Sequence, residues 1–178
     1  MYAQLADLLQ FLFAVVVLGL AVTLVKAQVY GDAPTTTKYS TFTGGFGILA
    51  AAAGAVGLFV EAVPDLFNIA LDGLSGLLFL AGGIAWAVGM KGINCTTLTG
   101  ENINNMVENG LMNQGKEDGF YGFYDRNKSS EDNYNTLAGN CKKGFSDEII
   151  QFLSFLVALG LVGVGYVRMR RGTSASYV

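Results

Sequence analysis

LLQFLFAVVVLGLAVTLV, from Leu8 to Val25, decides the fold: it carries no charge, Gln10 is its one strongly polar side chain, and Asp7 and Lys26 bound it. As a helix rising about 1.5 Å per residue it measures roughly 27 Å, which crosses a hydrocarbon core. A signal peptide would open with basic residues and have an apolar core of about 7–15 residues. Here the only earlier charge is Asp7, so the segment is expected to stay as a membrane anchor.

Three further runs share this character. Phe42–Val60 is uncharged and rich in Gly and Ala, and Glu61, Pro64 and Asp65 stop it sharply. Leu66–Met90 carries one charge, Asp72, and ends at Lys91. Ile149–Val167 ends at Arg168, Arg170 and Arg171. The reading is an all-α transmembrane four-helix bundle with spans at 8–25, 42–60, 66–90 and 149–167. The stretch GDAPTTTKYST, residues 31–41, is expected as a short external loop because Pro34 and the threonine run favour turns. Residues 92–146 form a large aqueous loop holding ten asparagines, and 172–178 form a short cytoplasmic tail.

The composition agrees. The chain of 178 residues is 52% hydrophobic and 14% charged, with mean hydropathy +0.43, where soluble domains carry about 25% charged residues. A net charge of -3 offers no basic face for nucleic acid. There is no histidine, so the commonest metal ligand and general base are missing. The loop carboxylates Glu101, Glu108, Glu117, Asp118, Glu131 and Asp132 lack calcium-loop spacing. No metal, cofactor or catalytic constellation is expected, and the chain reads as a non-enzyme.

Cys95 and Cys141 bracket the large loop, a spacing that suits a disulfide in an oxidising compartment, whereas a cytosolic loop would leave two spare thiols. The arginines after the last span place both termini in the cytoplasm and this loop outside. Basic residues counted over whole loops favour the opposite sense, but long loops weigh less in that rule. Of two glycosylation sequons, Asn94-Cys95-Thr96 abuts the bilayer and Asn127-Lys128-Ser129 lies mid-loop, so Asn127 is the candidate acceptor.

Asp72, about 9 Å along its span, needs a partner, since a charge at the bilayer centre costs about 3 kcal/mol on insertion scales. Gln10 sits at similar depth and predicts a hydrogen bond between the first and third helices. Small residues four apart, Gly47, Ala51 and Ala55 in the second span and Ala81, Ala85 and Gly89 in the third, predict close helix packing within the bundle, with outward self-association as the alternative. Trp86 and Tyr166 are expected in the interfacial belts. The GFYGFY cluster, residues 119–124, either packs under the loop or meets the membrane interface or a partner.

The layout resembles the MARVEL-domain proteins. Val63-Pro64, Leu71-Asp72, Ala87-Val88-Gly89-Met90 with Cys95 after it, and Cys141 before the last span are similar to the fungal branch associated with non-classical export and eisosomes, over residues 5–171. That resemblance implies a plasma-membrane organiser of furrow-like microdomains, linked to sphingolipid-dependent assembly and to unconventional secretion. Membrane lipids, with sphingolipid or sterol among them, are the expected partners, together with a second copy or a larger membrane protein. The third loop is longer, and the tail shorter, than the family leads one to expect. An accessory subunit of a transporter or pump is the competing reading. A channel is disfavoured by spans with almost no polar lining.

Overall fold

The computed structural model describes residues 2–57, 65–97 and 99–174, with side chains for 4–56, 66–97 and 99–170. Among the described residues, four helices are long and apolar enough to cross a membrane: α1 (Tyr2–Ala27), α2 (Thr35–Gly57), α3 (Asp65–Gly89) and α5 (Ser130–Ser174). They close into a ring in which α1 packs on α2 and α5, and α3 packs on α2 and α5. Between α3 and α5 lie α4 (Gly100–Glu108) and a two-stranded antiparallel hairpin, β1 (Lys116–Glu117) and β2 (Phe120–Tyr121). The chain is a multi-pass membrane protein, and Leu5, Leu12, Phe42, Leu49, Leu66, Leu77, Leu156 and Leu159 stand on the outside of the bundle, facing lipid.

Two elements begin earlier than the sequence suggested. Helix α2 starts at Thr35, so most of the expected 31–41 loop is helical. Pro34 stands at the helix entrance, where its missing N–H costs nothing, and its carbonyl accepts the Lys38 N–H. The threonines suit a helix in lipid because their hydroxyls bond back to carbonyls one turn earlier, Thr41 to Thr37 at 3.1 Å and Thr43 to Ser40 at 3.1 Å. The expected end of this span at 58–60 and the turn at Glu61 and Pro64 lie outside the described residues.

Helix α5 starts at Ser130 rather than near Ile149, and its 45 residues run about 67 Å. Ser129 caps it: the Ser129 hydroxyl accepts the Asp132 N–H at 3.0 Å and donates to the Asp132 carboxylate at 2.7 Å. Glu131 and Asp132 in the first turn favour the positive end of the helix dipole. The segment expected as a large aqueous loop is a folded cap. Its core joins Met106, Met112, Phe123, Leu137 and Cys141 to Leu24, Trp86 and Met90 of the bundle, making one continuous cluster.

Asparagines hold the cap where regular backbone pairing is absent. Asn102 takes the Asn94 N–H and donates to the Asn94 and Thr97 carbonyls. Asn109 donates to Gly89 at 2.8 Å, Asn113 to Val107 at 2.9 Å and Asn140 to Met112 at 2.9 Å. Asn133 clamps both the N–H and the carbonyl of Asp125. A carboxamide offers donor and acceptor together, so each can stand in for a missing strand neighbour.

Candidate functional site

Within the bundle, polar side chains gather in two layers. Near the cap, Ser40 of α2, Trp86 of α3, and Asp147 and Gln151 of α5 meet, all fully buried. The Ser40 oxygen accepts Trp86 Nε1–H at 2.7 Å and Gln151 Nε2–H at 2.8 Å, and Gln151 also donates to Asp147 Oδ2 at 3.1 Å. Asp147 Oδ1 and Gln151 Oε1 are buried without a hydrogen-bond partner among the described residues. The cluster joins three helices, and Gly82 makes room for it: a methyl there would collide with Gln151 Oε1.

This layer was not foreseen, because Asp147 falls just before the apolar run that marked the last span. One signal was present: Asp147, Gln151 and Ser154 recur at helical spacing, as do Thr37, Ser40 and Thr43, and all six are buried. Trp86, expected in an interfacial belt, lies instead in the core. Its indole N–H has found Ser40, and Gly144 leaves room for the ring, since a Cβ there would sit 2.7 Å from it. Tyr166 is half-exposed at the other end of the bundle, with the Arg170 guanidinium 5.4 Å from its ring centre.

The second layer lies nearer the chain termini. Gln10 is buried and donates to Ser75 Oγ at 3.5 Å, the outer limit of a hydrogen bond. The α1–α3 contact therefore uses Ser75, one turn beyond Asp72, not Asp72 itself. Asp72 is half-buried and interacts electrostatically with Asp7, which also feels Arg168. No group of three or more metal-binding side chains occurs among the described residues.

The small-residue stripes are placed unequally. Gly47 and Ala51 are buried, and a Cβ on Gly47 would lie 2.6 Å from the Phe79 ring and 2.9 Å from Ala14 Cβ. Ala55 is exposed beside Ala51 and Ala52 in a groove of about 420 Å³ between α1 and α2. On α3 the expected stripe is not the packed one. Ala81 is exposed, Ala85 and Gly89 are half-buried, and the close approach to α5 runs through Gly76, Gly82 and Gly83. A period of four left open which face turns inward, and the polar Gln151 fixed it at Gly82.

In the cap, Cys95 and Cys141 form a disulfide with Cα atoms 5.4 Å apart. The GFYGFY cluster divides: Phe123 is buried, while Phe120 and Tyr124 are 51% and 55% exposed. The Tyr121 hydroxyl and the Lys116 ammonium hydrogen-bond the exposed Glu108 carboxylate and hold it below its ordinary range. Lys116 is raised by the same contacts, Tyr121 first. Asn127 is exposed, and its backbone N–H is fixed by Asp125 Oδ1 at 2.9 Å.

In comparison with known proteins, the model of a membrane-associating domain, MARVEL, matches residues 5–164. No curated protein and no solved structure matches the chain.

Proposed function

From the premise that the chain belongs to the MARVEL family of membrane-associating domains, we propose that it is a non-enzymatic organiser of lipid and protein microdomains. One observation carries this reading: Gln10 bonds Ser75, and Ser40 bonds Trp86 and Gln151, inside the bundle, while large apolar side chains cover the surface offered to lipid. Such a molecule works through its shape and its lipid contacts. In this reading the plasma membrane is its site, both termini are cytoplasmic and the cap is external, where a disulfide persists. Sphingolipid or sterol preference, eisosome-like furrows and unconventional secretion complete the proposal, on the strength of the fungal resemblance.

Reconstitution into giant vesicles with coexisting ordered and disordered phases tests it. Enrichment in the ordered phase, or clustering that depends on sphingolipid or sterol, is expected. An even distribution in every composition would sink it. The exposed Ala81, flanked by Ile84 and Val88, favours a second reading, in which α3 docks as an accessory subunit on a larger membrane protein. Stoichiometric co-purification in mild detergent would select that alternative.

A further inference from the structure

The hairpin and the start of α1's connection enclose a groove of about 570 Å³, lined by Val29, Tyr30, Phe120, Tyr124, Arg126 and Asn127 among others. It is built firmly. Val29 and Tyr30 N–H groups both bond the Gln114 carbonyl, and Asn133 clamps Asp125 at its other wall. Two of its rings, Phe120 and Tyr124, are half-exposed, and Arg126 covers only Phe120, at 5.4 Å. At its rim stands Asn127, whose carboxamide is exposed and makes no hydrogen bond to the described protein.

We propose that Asn127 carries an N-linked glycan and that this groove seats its first sugars, stacked on Tyr124. The inference rests on the external placement of the cap given above. An aromatic face beside planar polar groups fits a sugar, with C–H groups on the ring and hydroxyls toward Asp125 and Arg126. The donor is an oligosaccharide carried on a lipid diphosphate. Asn127 Nδ2 bonds to the sugar's anomeric carbon, the carbon–oxygen bond to the diphosphate breaks, the diphosphate leaves with the electron pair, and the amide releases one proton. Ser129 of the sequon becomes the cap of α5, so the transfer belongs to the chain before it folds.

The other sequon is differently placed. Asn94 follows the end of α3 at Gly89 by five residues and so stays against the bilayer face even in the unfolded chain, whereas Asn127 lies far along the loop. A single glycan is therefore expected.

The test uses the full chain from a eukaryotic secretory host, in mild detergent. A peptide-N-glycosidase should lower the mass of the wild type and of Asn94→Gln, and leave Asn127→Gln unchanged. On folded protein, Tyr124→Ala should lose its glycan roughly fivefold faster than wild type, as loss of about 1 kcal/mol of stacking requires, while Tyr124→Phe should match wild type. An unglycosylated wild type whose reduced cysteines label from outside the cell would overturn this inference alone. Labelling only after permeabilisation would overturn the external topology with it. Equal rates for Tyr124→Ala and wild type would remove the groove.

Discussion

Gly44 and Gly45 are neighbours on α2 that meet opposite surroundings. A Cβ on Gly44 would lie 2.6 Å from the Leu18 nitrogen, 2.8 Å from its Cα and 2.9 Å from its Cβ, whereas a Cβ on Gly45 meets nothing within 4 Å. Backbone cannot swing aside, so Gly44→Ala must part α1 and α2 by roughly 0.8 Å to restore ordinary contact. Overpacking of this kind costs about 1–3 kcal/mol, against which alanine regains up to about 1 kcal/mol of helix propensity. Gly45→Ala keeps the gain without the cost. The two variants should therefore differ by about 1–3 kcal/mol, with Gly44→Ala below wild type and Gly45→Ala at or above it. At about 2–4 °C per kcal/mol for a chain of this size, the gap is several degrees. The emission of the single tryptophan, Trp86, followed on heating in detergent, reads it. Equal melting of the two variants would show that α1 and α2 do not meet at this glycine.

Four further outcomes are expected. Ser40→Ala removes the acceptor of Trp86 Nε1–H and one of the two acceptors of Gln151 Nε2, which should lower stability by about 1–3 kcal/mol and shift Trp86 emission; an unchanged melt and spectrum would remove Ser40 from the cluster. Cys95→Ser or reduction opens a link spanning 46 positions, worth about 4 kcal/mol of chain entropy, so the cap should become protease-sensitive while the helices persist; a cap equally resistant when reduced would contradict this. Glu108 has a folded pKa below its ordinary value of 4.5, so its contribution is full above that value and disappears as pH falls through the lowered one. Hydrogen exchange in the hairpin should quicken over that acid range in wild type, and Glu108→Gln should lack the step. Asp72→Asn removes a charge from a half-buried position within the third span and should melt no lower than wild type; a clear loss of stability would mean that the Asp72 charge has a partner.

The four spans were legible because lipid demands long uninterrupted apolar runs, and Leu8–Val25 has no other stable use. The cysteine pair was legible because it brackets a polar segment. Helix α2's true start was hidden because Pro34 and Thr35–Thr37 carry turn propensities measured in water, while inside the helix the Thr41 and Thr43 hydroxyls close on the Thr37 and Ser40 carbonyls one turn earlier. The cap was hidden for a related reason. Its order comes from single asparagine contacts such as Asn102 to Asn94 and Asn140 to Met112, which leave no period in the sequence. Trp86 shows a third limit: belt statistics describe an average tryptophan, and this one has a serine within 2.7 Å.

The cap and the polar cluster explain each other. Asp147, Gln151 and Ser40 lie at the end of the bundle where, without cover, water would reach them and compete for every bond in the cluster. Leu137, Met112 and Phe123 close over Trp86 and Met90 at that end, and Asn109 ties the α4 end to the last turn of α3 through Gly89. The disulfide joins Cys95, just beyond α3, to Cys141, less than two turns of α5 before Asp147. It therefore fixes the roof over the cluster as well as closing the loop. The Asn-rich segment reads as solvent-facing by composition, yet its inner face covers the site where a serine hydroxyl, an indole and an amide hold three helices together.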